Sequence, residues 1–319
     1  MGGRVTASNR GVTMGSDIRV TKLSSSVGAR IEDVDLRREL EEGVQLQLRQ
    51  ALWDNHVLVF PGRDVGMDEQ VRLVSCFGVV QPLEVFRFLG EMNASLVVDA
   101  KAGGTVDRDG KSQRAVVFNQ HHRISEFQGW HTDSSFMGEL PQAAALRAEI
   151  IPPVGGDTCF AALCAAYDAL SPVMQDWLVT LKAVHEVPAG FKQGIQIWQY
   201  GEDAEARFDA EYPPREHPVV IEHPRSGRRA LFVNPNYTVR IVGMTDRESA
   251  SILRFLYNHI ATPDFVYRHH WSPGDIVVWD ELVCLHLAPQ DYHPHERRLV
   301  RITAGSVAPV SPRRLHSAA

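Results

Sequence analysis

From Pro218 to the end of the chain the apolar residues come in short runs, each stopped by a turn signal. The runs Pro218–Ile221, Arg229–Val233, Phe265–His270, Asp275–Trp279 and Leu299–Ala304 are punctuated by Gly227, Pro235, Pro273-Gly274 and Pro289. Runs of this length suit strands rather than core helices. Upstream, Ile18–Leu36 reads as two short strands about a turn at Ser24–Gly28, and His56–Phe60 as a buried strand stopped by Pro61-Gly62. Glu39–Asn55 and Asp68–Phe77 carry helical apolar stripes, and Ala166–Leu181 and Asp246–Ile260 read as two more helices. A strand-and-helix opening followed by many short strands predicts a mainly β protein with flanking helices (α+β), a sandwich or barrel. No Pro/Gly/Ser linker divides it. The expectation is one domain over 18–310, between a flexible N-terminal tail, 1–17, and a C-terminal tail, 311–319.

Composition narrows the function. A chain of 319 residues with 44% hydrophobic and 23% charged residues can bury a full core. Its net charge of −6 argues against a basic face for nucleic acid. No run approaches the roughly 18 apolar residues of a membrane span, and the N-terminus lacks an apolar signal core. Cys76, Cys159, Cys164 and Cys284 show no C-x-x-C spacing. Reduced, buried thiols and a cytoplasmic location are therefore expected. The expected partner is a small molecule. The oligomeric state stays open, a homo-oligomer included.

One pair of residues carries chemistry. With 14 His and 39 acidic residues, chance supplies roughly two His-x-Asp/Glu matches. The chain has a single one, His131 and Asp133 in WHTDSSF (130–136). Residues two apart on an extended segment project to one side, so both reach one ion while Thr132 faces away. His286 follows an apolar strand and a polar turn in DIVVWDELVCLH (275–286), and a rolled sheet can bring it to the pair. Two imidazoles and one carboxylate leave the opposite face of a metal open, as in non-haem Fe(II) oxygenases. The same donors also suit a Zn²⁺ hydrolase, and His286 alone also reads as a hydrogen-bonded core histidine.

The arginines bear on that choice. If Leu299–Thr303 is a strand, Arg297, Leu299 and Arg301 share one face, with Arg298 and Val300 on the other. An inward arginine requires an anion, and its planar fork suits a carboxylate; an outward one is a solvated basic face. In PPVGGDTCF (152–160) two glycines permit a tight turn, and Thr158 offers a hydroxyl able to share that carboxylate.

The ordered segments W-H-T-D, P-x-x-G-G-D-T, F-V-N, P-G-D-x-x-x-W-D, H and R-R-x-x-R together resemble the taurine dioxygenase/TfdA family of Fe(II)- and 2-oxoglutarate-dependent oxygenases. The resemblance runs from about Val20 to Pro309 and takes in HPVV (217–220) and HPRSG (223–227). It implies a double-stranded β-helix (jelly-roll) core. It also implies iron on His131, Asp133 and His286, with 2-oxoglutarate and O2 as co-substrates. Thr158 and Arg297, by position, would hold the far carboxylate of 2-oxoglutarate. Arg301 matches the second family arginine, which in the taurine enzyme meets the substrate's anionic group, so it counts with both co-substrate and substrate. The implied reaction releases succinate and CO2 and hydroxylates the substrate, with desaturation or C–O cleavage as variants. Halogenating relatives lose the carboxylate ligand; this chain keeps Asp133.

The chain departs from the taurine enzyme where that enzyme contacts its sulfonate. Aligned without gaps, Leu83 and Phe86 stand in place of its His and Tyr, within the apolar stretch LEVFRF (83–88). An apolar pocket disfavours a small zwitterion, so taurine is not the expected substrate. Tyr237 takes the position of a family aromatic over the substrate, and 101–129 reads as a lid. The expected substrate is small to medium, partly hydrophobic and anionic. Two other classes stay open: a zinc hydrolase on the same fold, with no role for Arg297, and an inactive small-molecule binding protein.

Overall fold

The computed structural model describes residues 18–62, 64–81, 97–99, 104–106, 129–188, 192, 201–289, 291–292 and 294–312. Arg19–Lys22 (β1) and Ala29–Glu32 (β2) form a hairpin, and helix α1, Glu42–Asn55, leads into Val57–Phe60 (β3). Helix α2, Met67–Ser75, precedes Val80–Gln81 (β4), and Val97–Asp99 (β5) pairs with Gly104–Val106 (β6). The central strands are Ala143–Ile150 (β7) and Thr158–Ala162 (β8), followed by α3, Leu163–Asp168, and α4, Pro172–Leu178. Lys182–His185 (β9), α5 at Ala204–Glu211, Arg215–Pro218 (β10), Val220–Glu222 (β11), Arg229–Leu231 (β12) and Thr238–Ile241 (β13) come next. The chain then forms α6, Asp246–Ile260, and strands Val266–His269 (β14), Ile276–Asp280 (β15), Cys284–Leu287 (β16) and Arg298–Ala304 (β17).

Two sheets face each other. The larger runs β1-β2-β3-β15-β7-β17-β4, the smaller β14-β8-β16. Alternation along each strand sorts its side chains between two layers. Val57 and Val59 of β3, Ala144 and Ala148 of β7, Val277 and Trp279 of β15 and Leu299 of β17 face Phe160, Ala162 and Cys284 of the smaller sheet. The alanines of β7 leave width between the sheets for Trp279 and Phe160, whose ring centroids lie 5.6 Å apart. The reverse face of the larger sheet packs Leu58, Phe60 and Ile302 against Leu48 and Leu52 of α1 and Leu73 and Val74 of α2. A third layer, with α3, α6, β11 and β12, covers Ala161 and Leu285 on the outer face of the smaller sheet.

Mixed strand and helix are as the sequence predicts, and α6 has the predicted bounds. The segment Ala166–Leu181 is a correction. It holds two helices, because Ser171 accepts the Met174 N–H as an N-cap and Pro172 starts α4. Strand Pro218–Ile221 likewise divides, β10 pairing with β9 and β11 with β12. Helix α5 was not anticipated. Among the described residues, no helix is long and apolar enough to cross a membrane.

Candidate active site

His131 and His286 meet by backbone pairing. Each donates its N–H to the other's carbonyl, at 3.0 and 2.8 Å, forming an isolated antiparallel bridge. Residues directly opposite in such a bridge project to the same face. Their rings lie 4.1 Å apart, centroid to centroid. Asp133, two residues on, reaches the same side: its carboxylate oxygens lie 3.4 Å from His131 Nε2 and 3.5 Å from His286 Nε2. One ligand atom from each of the three residues falls within 4.8 Å of the others, a group that a metal ion would join. On the far side of β16, His286 pairs across to Phe160 of β8.

The surroundings prepare these donors for a cation. His131 Nδ1 donates to the Gly129 carbonyl at 2.7 Å, which leaves the Nε2 lone pair turned to the centre. Gly129 is itself held through its N–H by Asn236 Oδ1 at 3.1 Å. Burial, and next the proximity of His131, push His286 well below the usual histidine range, so it remains neutral and able to ligate. Burial would raise Asp133, but the Arg301 guanidinium, aided by the two histidines, outweighs it and holds the carboxyl well below its usual range. Two imidazoles, that of His286 kept neutral, beside a fixed carboxylate fit Fe(II) in type and number.

Arg301 sits on β17 between two acids. Its Nη2 donates to Asp133 Oδ2 and lies 3.3 Å from Glu281 Oε1. Glu281 is fully buried, and its Oε2 accepts the backbone N–H of Asp133 at 3.1 Å. Burial, then Asp133, pushes Glu281 well above the usual carboxylate range. Sequence reading placed Glu281 in a polar turn and missed it. The guanidinium also lies 5.8 Å from the centre of the Trp279 ring, and among the described residues its buried Nε has no hydrogen-bond partner.

Arg297 and Thr158 form the second cluster. Arg297 Nε donates to the Gly156 carbonyl at 2.7 Å and Nη2 to Thr158 Oγ1 at 3.1 Å. Burial lowers the Arg297 pKa, the sign of a cation short of solvent. Gly155 and Gly156, at φ +75° and +74°, make the turn that lets the loop approach. A Cβ on Gly156 would meet Pro152 Cγ at 2.7 Å and Arg297 Cδ at 3.1 Å. Thr158, Phe160 and Ala162 alternate with outward residues on β8, so the Thr158 hydroxyl and His286 face one interior about 7 Å apart along the strand. Arg297, Leu299 and Arg301 share that face as predicted.

Tyr237 is buried beside the candidate metal ligands, its ring edge-on to His131 at 6.4 Å and 5.2 Å from Phe136. Leu83 and Phe86 lie outside the described residues, as does all of 101–129 except Gly104–Val106 and Gly129.

Three comparisons agree with this geometry. The family model for taurine catabolism dioxygenase TauD, TfdA family, matches residues 19–303. An alkylsulfatase of Acinetobacter baylyi is 30% identical over 91% of this chain and 86% of its own length. The alpha-ketoglutarate-dependent 2,4-dichlorophenoxyacetate dioxygenase of Cupriavidus pinatubonensis is 33% identical over 81% and 87%. Among solved structures, a taurine dioxygenase from Burkholderia xenovorans superposes with a TM-score of 0.74 at 30% identity, covering 92% of this chain and 91% of that one.

Proposed function

The chain belongs to the TauD/TfdA family of Fe(II)- and 2-oxoglutarate-dependent dioxygenases, and from that premise we propose that it hydroxylates a partly hydrophobic, anionic small molecule. The observation that carries the reading is the placement of the His131, Asp133 and His286 ligand atoms within 4.8 Å of one another, on the interior face that also bears Thr158 and Arg297. Iron bound by the three would supply the O2 chemistry that splits 2-oxoglutarate into succinate and CO2. The residues do the rest. His131 is held in its ligating tautomer by Gly129, and Asp133 is kept anionic by Arg301. Arg297 and Thr158 direct N–H and O–H groups at the far carboxylate of the co-substrate, a role that the zinc-hydrolase reading leaves Arg297 without.

Arg301 is assigned to anionic groups of co-substrate and substrate; its buried Nε–H is a donor that Asp133 and Glu281 do not use. Tyr237, Leu83 and Phe86 are assigned to the apolar body of the substrate. The relatives named for an alkylsulfatase and for 2,4-dichlorophenoxyacetate support this class, since both names pair an anionic group with an apolar body. Hydroxylation beside an ether or ester oxygen would end in C–O cleavage. We assign the facing sheets to a double-stranded β-helix core, within one catalytic domain over 18–310. Free, buried Cys76, Cys159, Cys164 and Cys284 support a cytoplasmic enzyme.

The test is direct. Under anaerobic conditions Fe(II) and 2-oxoglutarate together should give a weak visible charge-transfer band. Under O2, a panel of alkyl sulfates, aryloxyalkanoates and N-modified amino acids should identify substrates by succinate release. No band, and no succinate above background with any compound, would overturn the proposal.

A further inference from the structure

Thr158 Oγ1 accepts two hydrogen bonds. One comes from Arg297 Nη2 at 3.1 Å, the other from the indole Nε1–H of Trp271 at 3.0 Å. A hydroxyl has two acceptor lone pairs and one proton to give. With both lone pairs engaged by groups that cannot accept, the only capacity left to Thr158 is donation. Thr158 is 1% exposed and Trp271 7%, so water does not compete freely for either.

The fold aims Trp271 at this task. His269 lies opposite Thr158 in the β14–β8 ladder, and Trp271, two residues on, projects from the same side. The His269 ring packs edge-on to the indole at 4.5 Å. Asp275 fixes the turn beyond, accepting the Ser272 N–H at 2.9 Å and the Gly62 N–H at 2.7 Å.

We propose that Trp271 is a positioning residue for 2-oxoglutarate: its indole N–H fills the second lone pair of Thr158, so that the threonine hydroxyl can only present its proton to the co-substrate carboxylate. This rests on the co-substrate reading of Thr158 and Arg297. Without the indole, the hydroxyl can rotate and turn a lone pair toward the carboxylate, which repels it. Trp271 touches Thr158 and acts through it.

A double-mutant cycle on co-substrate affinity tests this, with 2-oxoglutarate titrated into the Mn(II)-loaded protein by calorimetry and into the anaerobic Fe(II) protein by its visible band. Trp271→Phe keeps an aromatic ring and removes the N–H. It should weaken 2-oxoglutarate binding about fivefold, the worth of one neutral hydrogen bond, with Mn(II) affinity and thermal midpoint close to wild type. Thr158→Val should weaken binding at least as much, and Trp271→Phe in that background should add nothing. In Thr158→Ser, which restores the hydroxyl, the Trp271→Phe penalty should return. Unchanged affinity in Trp271→Phe overturns the proposal. So does an equal penalty in the Thr158→Val background, which would mean that the indole acts by packing. Failure of the underlying reading looks different: Arg297→Ala and Thr158→Val would then bind 2-oxoglutarate as wild type does.

Discussion

At the scale of single residues, the site is a stack of three ionisable groups in which each makes the next tenable. Asp133 is buried and anionic because Arg301 lies against it, and the half-buried Arg301 is tenable there because two carboxyls receive it. Glu281 does two jobs: it brackets Arg301 and accepts the Asp133 N–H. Removing it orphans a buried N–H and frees the ligand's backbone to shift. Glu281→Ala should therefore destabilise the protein by about 1–3 kcal/mol and lower Mn(II) affinity on the order of tenfold, as loss of an outer-shell partner does. Glu281→Gln keeps an acceptor for the N–H and should recover most of the metal affinity. Denaturant midpoints and Mn(II) titration report the two effects separately. Wild-type affinity in Glu281→Ala would show that Asp133 is held by the metal and its own loop alone.

At the scale of elements, the turn at Gly155-Gly156 sets where Arg297 can go. Its outer side is tied down by Asp291, which accepts the Gly156 N–H at 2.9 Å and meets Arg268, itself paired with Asp157 at 2.6 Å. Gly156→Ala asks for a Cβ where Pro152 and Arg297 already stand, in a left-handed conformation. Gly227→Ala is a matched control, since its φ is +68° but nothing lies within 4 Å of the added Cβ. Both should lose about 1 kcal/mol from the backbone. Only Gly156→Ala should also raise the KM for 2-oxoglutarate severalfold, with metal affinity preserved. Equal KM values in the two variants would separate the turn from the arginine.

The same elements show what the sequence made legible. Strand alternation put His131 with Asp133, and Arg297 with Arg301, because a period of two is a local property. The His131–His286 bridge is nonlocal, and no pattern in either segment announces its register. Glu281 was invisible for a related reason: a carboxyl beside Asp280 reads as a polar turn until Arg301 arrives from another strand to allow its burial. Trp271 falls between the predicted strand Phe265–His270 and the Pro273-Gly274 turn, and its role depends on a ladder between β14 and β8. Ser171-Pro172 was the opposite case, a local helix-start signal inside a segment that reads as one helix, and the structure obeys it.

At the scale of the whole molecule, acid stability follows from how the histidines are buried. Burial lowers His185 to about 3 and His56 to about 4, and it lowers His217 and His286 as well. Each resists protonation in the folded protein more than its unfolded counterpart, which takes up a proton below about 6.5. The unfolded chain then binds more protons, so stability falls as pH falls from about 7 toward 4. Glu281 runs the other way: its raised pKa keeps a proton in the folded state that the unfolded chain loses above its ordinary value, which favours the fold at the acid end. Four histidines against one glutamate leave the histidines ahead. The carboxylates held low, Asp133 and Asp275 among them, lose their contribution only further down, as the pH drops below about 4. Between pH 7 and 5 the window therefore belongs mainly to the histidines. Urea midpoints of the metal-free protein should drop across it by the equivalent of a few kcal/mol. His185, stacked on Phe232 and bonded to Ser135 and Thr238, is the one to remove. His185→Gln should lower stability at pH 7 yet flatten the slope between pH 7 and 5, and a slope unchanged by the substitution would place the titration elsewhere.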